Sequence, residues 1–208
     1  MPNTLSDSIL RSMKSSAPGK VFANKDFRGL GSRDGIDQAL SRLVKEQAVR
    51  RIGRGLYDLR RIHPELNLEM SPDMHQVALA VARRLGWQIT PSGALAANLL
   101  RLTTQVPAQY VYLTNGQSKI LKVGKQTLVF KRSAAKDLAG IGRRSGAVIQ
   151  AIKYLGKTGI DERVIDTLRD NLSDPERRQL LRDASHVTDW IMDVIHKIAQ
   201  SESRDGRG

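Results

Sequence analysis

The sequence predicts an α+β fold, because helical and β-prone segments occupy separate stretches of the chain. Apolar residues recur at helical spacing near both ends, and three β-prone runs separated by glycine turns lie in the middle. With 208 residues, of which 40% are hydrophobic, the chain can form two modest domains. An Arg-Arg-Ile-His-Pro-Glu segment interrupts both patterns, so we place the domain boundary after residue 65.

The first predicted domain begins with short elements. We expect a helix over residues 6–15, a short strand at 21–23 and a short helix at 24–27. A longer helix is predicted over residues 33–47. Apolar residues at helical spacing define its buried face, and Ser32 is suited to cap its N-terminus. The opposite face is free to contact a partner and carries Arg33, Gln38, Ser41, Arg42 and Lys45.

Two β-prone runs around a Gly-Arg-Gly tip follow this helix, over residues 49–59. A basic hairpin directly after a helix is typical of a winged helix-turn-helix, whose helix enters a groove of duplex DNA and whose wing contacts the flanking phosphates. We therefore predict this motif in residues 1–65, with Arg50, Arg51 and Arg54 exposed near the tip. For Tyr57, packing within the hairpin is the favoured alternative. The predicted DNA-contacting residues are Ser32, Arg33, Gln38, Ser41, Arg42, Lys45, Arg50, Arg51, Arg54 and Tyr57.

The second predicted domain, residues 66–208, is mixed with a helical C-terminal portion. Pro72 suits the first turn of a helix that ends at Gly86. A short strand at 87–89 and a helix at 94–103 follow. The simplest interpretation of the next three β-prone runs, at 110–114, 119–123 and 127–131, is an antiparallel meander. The remaining pattern predicts helices near 145–155, 161–171, 174–184 and 186–200.

The charge of the chain points to a polyanionic partner. Its formal net charge is +13, and the charge density of residues 1–65, which hold 13 Lys or Arg against 7 Asp or Glu, is higher than that of the remaining 143 residues taken together. Ribosomal RNA and membrane surfaces satisfy the same argument. Since only 4% of residues are aromatic, stacking on single-stranded nucleic acid is disfavoured and duplex DNA is the better candidate.

A second basic segment spans residues 119–157, with ten Lys or Arg against one acidic residue, Asp137. It is expected either to contact further DNA phosphates or to face an acidic partner, and the alternative is a solvated sheet face. Residues 158–208 carry 8 basic and 11 acidic residues, which suits protein contacts better than DNA. The secondary basic face is assigned to Lys119, Lys122, Lys125, Lys131, Arg132, Arg143 and Arg144.

Several function classes are disfavoured. The chain has no cysteine, and its four histidines lack zinc-ligand spacing, so neither a metal nor a cofactor is expected. The glycine-rich segment 140–146 lacks the Gly-Lys-Ser/Thr ending of a phosphate-binding loop and is taken as a helix-initiating loop. No apolar run reaches the roughly 20 residues of a membrane span, and the N-terminus lacks signal-peptide features, so a cytoplasmic location is expected.

Two segments of the first domain resemble the winged-helix domain of AbiEi-like antitoxins, which belong to type IV toxin-antitoxin and abortive-infection systems. They are Gly31-Ser32-Arg33 through Leu40-Ser41-Arg42-Leu43-Val44, and Val49-Arg50-Arg51-Ile52-Gly53-Arg54-Gly55-Leu56-Tyr57. The similarity continues more weakly through residues 86–94 and 112–116. It implies a transcriptional repressor that binds inverted repeats in its own promoter and counteracts a nucleotidyltransferase-like toxin. The segment after residue 157 has no counterpart in this resemblance.

The favoured hypothesis is a sequence-specific, double-stranded DNA-binding repressor without catalytic activity, an autoregulating antitoxin that acts as a possible dimer on DNA. The alternative is a protein-interaction module that neutralises a partner, with DNA binding incidental. A nucleic-acid-processing enzyme would need an acidic or nucleophilic constellation, and the sequence offers no clear one.

Overall fold

The structure is a computed structural model that describes residues 4–200. Over that range it is α+β, as predicted, with eight α-helices and two sheets of three and four strands. The chain divides into two compact units. The first comprises residues 4–87 together with 123–125, and the second comprises 88–122 and 126–200.

The first unit contains the elements predicted up to residue 59 and one further helix. Its elements are α1 (Leu5–Lys14), β1 (Val21–Ala23), a 3₁₀ helix (Asn24–Phe27), α2 (Arg33–Lys45), β2 (Arg50–Gly53), β3 (Leu56–Asp58) and α3 (Met74–Leu85). The strands form an antiparallel sheet in the order β1-β3-β2, with Tyr57 opposite both Phe22 and Arg51. A bulge lies between Arg51 and Gly53.

Helices α1 and α2 pack together over an apolar core. Ile9, Met13, Leu40 and Val49 are fully buried there, and the ring of Phe27 stacks on that of Phe22 with centroids 5.6 Å apart. Burying these side chains removes apolar surface from water, which is the main force that holds short elements in place.

The first unit extends beyond the predicted boundary at residue 65, because α3 packs against β1. The apolar residues of α3 are buried, and Arg83 forms an ion pair with Asp26 at 3.0 Å. The N-cap of α3 is Asp73, so Pro72 precedes the helix instead of occupying its first turn. Gly86 ends the helix in the left-handed conformation, as expected from its place in the sequence.

The second unit combines a sheet with a helical cluster. Its elements are β4 (Ile89–Pro91), α4 (Gly93–Leu99), β5 (Tyr110–Thr114), β6 (Lys119–Val123), β7 (Gln126–Arg132), α5 (Arg144–Leu155), α6 (Glu162–Asp170), α7 (Asp174–Asp183) and α8 (Asp189–Ala199). The four predicted C-terminal helices are confirmed. Helices α4 to α8 enclose a core that includes Ile149, Ile152, Leu168, Leu180 and Ile195.

The predicted antiparallel meander is wrong. The strand order is β4-β5-β7-β6, so β7 separates β5 from β6, and β5 runs parallel to β7. Burial explains this order. The middle of β7 is buried and Phe130 packs near Tyr112 with ring centroids 6.2 Å apart, whereas most of β6 is exposed. A strand that carries lysines is better suited to a sheet edge than to its centre.

Candidate nucleic-acid interface

Helix α2 and the β2–β3 hairpin border a groove of about 420 Å³. Six of the ten predicted DNA-contacting residues line it, and they come from both elements. The groove therefore unites much of the predicted site in one surface. Its lining residues are Asn24, Arg33, Asp37, Ser41, Val44, Lys45, Arg51, Arg54, Gly55 and Tyr57.

Capping and burial fix which side of α2 faces the groove. The Ser32 hydroxyl accepts a hydrogen bond from the Gly35 amide at 3.2 Å and so begins the helix, as the sequence predicts. The apolar face of the helix is buried in the core. Because residues four apart lie on one helical face, a single row of side chains is presented to the groove. That row is Arg33, Asp37, Ser41 and Lys45.

The tip of the hairpin is a two-residue turn, Arg54-Gly55, in which Gly55 adopts a φ of +66°. The Asn24 amide donates to the Gly55 carbonyl at 3.4 Å, and the Arg84 guanidinium donates to the Arg54 carbonyl. The 3₁₀ helix and α3 thus both contact the tip. The side chains of Arg51 and Arg54 remain exposed, as predicted.

The prediction that Arg50 is exposed near the tip is wrong. Its guanidinium donates to both carboxylate oxygens of Asp58, at 2.9 and 2.7 Å, and to Glu69 at 2.8 Å. Asp58 is buried, with 1% relative exposure. The hydrogen bond to Asp58 raises the pKa of Arg50 above its ordinary value. Arg50 therefore joins the hairpin to the segment at residues 69–70 and does not line the groove.

Tyr57 lies at the boundary between the core and the groove. It is 7% exposed and belongs to the apolar core of the first unit, which agrees with the packing alternative. Burial raises the pKa of its hydroxyl, and nearby Asp37 acts in the same direction against the opposing effect of Arg51. The ring contributes to the lining of the groove without projecting from it.

Besides Arg50, three of the predicted DNA-contacting residues do not line the groove, and none of the three is held away from it by an ion pair. The hydroxyl of Ser32 is used in the cap of α2. Gln38 and Arg42 are exposed on α2 but lie outside the row that faces the hairpin. Helix α2 therefore presents two exposed rows, one toward the hairpin and one beside it.

The electrostatic character of the groove comes from four cations and one carboxylate. Arg33, Lys45, Arg51 and Arg54 supply positive charge from both walls, and Asp37 lies among them. Neither Asp37 nor its neighbour Asn24 is among the residues predicted to contact DNA. The four-residue spacing of Asp37 from Arg33 and Ser41 was a usable signal, whereas Asn24 comes from another element and is placed only by the tertiary fold.

The seven residues predicted as a secondary basic face do not form a single face. Lys119 and Lys122 are three positions apart on β6, and successive side chains of a strand alternate between its two sides. Lys131 and Arg132 are consecutive on β7 and diverge for the same reason. Arg143 is ion-paired with Asp183 at 2.7 Å, Arg144 is exposed at the start of α5, and Lys125 belongs to the first unit.

The glycine-rich segment 140–146 starts helix α5, as the sequence indicates. A Cβ atom at Gly146 would lie 2.5 Å from the Gly140 carbonyl oxygen, so the segment folds tightly onto itself. Within residues 4–200, no group of three His, Cys, Asp or Glu side chains is arranged to hold a metal ion. None of the helices in that range is sufficiently long and apolar to cross a membrane.

Comparison with known proteins gives a family but no described activity. No curated protein shows significant similarity to this chain. A family of unknown function, DUF6088, matches residues 8–180, which include the candidate groove and most of the second unit. The chain therefore belongs to the DUF6088 family.

Proposed function

We propose that this protein binds double-stranded DNA through the groove between α2 and the β2–β3 hairpin. The observation that carries the proposal is the placement of four cationic side chains on two walls of one groove: Arg33, Lys45, Arg51 and Arg54. Cations that neutralise phosphates release condensed counterions, which drives association with a duplex. In this proposal α2 enters the major groove and the hairpin contacts the flanking backbone as a wing.

The order of elements in the first unit supports this assignment. A helix, a strand, a short helix, a longer helix and a hairpin follow one another, which is the sequence of elements expected of a winged helix-turn-helix. The sheet order β1-β3-β2 places the hairpin beside the first strand. The exposed row of α2 outside the groove, with Gln38 and Arg42, supplies side chains suited to base edges.

The finer part of the proposal is that the protein is a repressor of its own promoter and an antitoxin in a type IV toxin-antitoxin system. This part rests on the resemblance of residues 31–57 to AbiEi-like antitoxins. Two copies would bind an inverted repeat, since the two-fold symmetry of such a site matches that of a protein dimer. A nucleotidyltransferase-like toxin would be the protein partner, and a cytoplasmic location follows from both roles.

Duplex binding is tested by selecting sites from a random DNA library with the full chain and measuring affinity against salt concentration. The double variant Arg51→Ala/Arg54→Ala should bind all sequences more weakly. The slope of log K against log salt should fall by about two in magnitude, close to one for each lost phosphate contact.

The matched control is Lys136→Ala/Lys157→Ala, which removes two exposed cations from the second unit and changes the net charge equally. It should retain the wild-type salt slope. If the wild type shows no salt-dependent duplex binding, or if the two double variants lose affinity equally, DNA binding through the groove is refuted.

The repressor and antitoxin roles need separate tests. A footprint of the full chain on the DNA upstream of its own gene should protect an inverted repeat. Co-expression should relieve the growth arrest caused by a nucleotidyltransferase-like protein encoded beside it. A library-selected site that is absent from that upstream DNA would contradict autoregulation, and persistent growth arrest would contradict the antitoxin role.

A further inference from the structure

Phosphate binding does not explain why an acidic residue, Asp37, lines the groove. It is exposed on α2, four residues after Arg33 and four before Ser41. Within the described part of the chain it is the one carboxylate that lines the groove. A negative charge placed beside DNA phosphates opposes binding. Its position among four cations therefore calls for a compensating contact in the complex.

The local contacts of Asp37 orient it without neutralising it. The Asn24 side-chain amide donates to Asp37 Oδ1 at 3.2 Å, and the Asn24 backbone amide donates to the Gly55 carbonyl. Over residues 4–200, no Lys, Arg or His forms an ion pair with Asp37. A neutral amide thus positions the carboxylate, and Oδ2 is left to accept a further hydrogen bond.

The chemistry of base edges supplies a suitable donor. In the major groove, cytosine presents its N4 amino group and adenine its N6 amino group, and carboxylates accept hydrogen bonds from such donors. At the correct base, this hydrogen bond offsets the repulsion between the carboxylate and the DNA phosphates. At any other base the repulsion is not offset, so wrong sequences bind more weakly. Lysine and arginine side chains that contact phosphates attract every sequence alike.

We infer that Asp37 is a specificity-determining residue that accepts a hydrogen bond from the exocyclic amino group of one base in the target duplex. Asn24 is a positioning residue that holds the carboxylate beside the hairpin tip. This inference rests on the proposed duplex-binding function and deepens it, because it gives the groove a means of rejecting wrong sequences.

The test compares the full-length wild type with Asp37→Ala on the site selected from a random library and on every single-base-pair variant of that site. We expect Asp37→Ala to bind unrelated duplexes more tightly than the wild type. We also expect it to lose a preference of about tenfold at one base pair, while the other positions keep theirs. Whether that position holds cytosine or adenine assigns the amino group to N4 or N6.

The matched control is Glu65→Ala, which removes the same charge from an exposed position of the first unit that lies outside α2 and does not line the groove. It should raise affinity for all sequences and leave every base preference unchanged. Asn24→Ala should weaken the same single preference as Asp37→Ala, to a smaller extent.

The possible failures are distinguishable. If the wild type binds no duplex, the proposed function itself is wrong. If the wild type binds selectively and Asp37→Ala keeps the full preference profile, the protein reads DNA without Asp37 and the present inference is overturned while the proposed function stands.

Discussion

Asp58 is buried beneath the hairpin, where its carboxylate accepts two hydrogen bonds from the guanidinium of Arg50. The sequence shows two adjacent arginines in β2, and consecutive side chains of a strand point to opposite sides. One of them therefore had to face the interior, but sequence alone did not reveal that Asp58 would be its partner. The same rule leaves Arg51 exposed, as predicted, and it lines the groove.

Replacing Arg50 with alanine should destabilise the first unit by about 2 to 4 kcal/mol, because it leaves the Asp58 carboxylate buried without compensation. The partial exposure of Arg50 places this value below that of a fully buried pair. Urea unfolding of the full chain measures the change. Arg51→Ala is the control and should fall within about 0.5 kcal/mol of the wild type. Equal effects of the two substitutions would contradict a structural role for Arg50.

His75 gives the stability of the first unit a dependence on pH. Burial lowers the pKa of this histidine below its ordinary value of 6.5. Below pH 6.5 the unfolded chain therefore takes up a proton that the folded protein binds less readily. His75 should therefore not reduce the free energy of unfolding above pH 6.5. That free energy should decrease as the pH falls from 6.5 through the folded-state pKa.

Denaturant unfolding at pH 7 and pH 5 measures this dependence. His75→Gln should lose less stability than the wild type between these two pH values. His186→Gln, which alters an exposed histidine, should behave as the wild type does. An unchanged pH dependence in His75→Gln would show that other groups are responsible.

Among the elements, helices were predicted more accurately than strand order. Periodicity and caps such as Asp161, which accepts from the Val164 amide at 2.8 Å, are local features that sequence displays directly. Pairing in a sheet is not local. The Asn115-Gly116 turn favoured a β5–β6 hairpin, yet the greater burial of β7 gave it the position beside β5.

The hairpin tip depends on one glycine. Gly55→Ala should cost about 1 kcal/mol, because its φ of +66° is strained for any residue with a Cβ atom. Gly53→Ala is a fitting control, since a Cβ there would meet only Leu56 at an ordinary 3.7 Å. Thermal unfolding of the two variants measures the difference. An equal or smaller loss of stability in Gly55→Ala would show that the tip is not held in this conformation.

For the whole molecule, the two-unit organisation was predicted but the boundary differs. The Arg-Arg-Ile-His-Pro-Glu segment is a break in pattern, and such a break can lie within a unit as well as between units. Only tertiary packing assigns α3 to the first unit, where Arg83 also donates to the Val21 carbonyl at 2.8 Å. Likewise the groove could be predicted from α2 and the hairpin, but the contributions of Asn24 and Arg84 required the fold.

A fragment of residues 1–87 should therefore unfold cooperatively in urea, whereas a fragment of residues 1–65 should not. The shorter fragment loses the apolar face of α3 and the contacts that Arg83 and Arg84 make with the rest of the unit. Circular dichroism across a urea titration measures both transitions. Equal cooperativity of the two fragments would place the boundary at residue 65 after all.

The exposed lysines of β6 affect how copies of the protein interact with one another, whether or not a ligand is bound. β6 ends its sheet, and a strand in that position offers free amide and carbonyl groups to any extended chain nearby. Lys119 and Lys122 flank Ile120, which is 67% exposed, so like charges would meet if two molecules aligned these edges. Mutual repulsion of this kind discourages the stacking of copies into aggregates, and part of the basic character of the chain thereby favours colloidal stability.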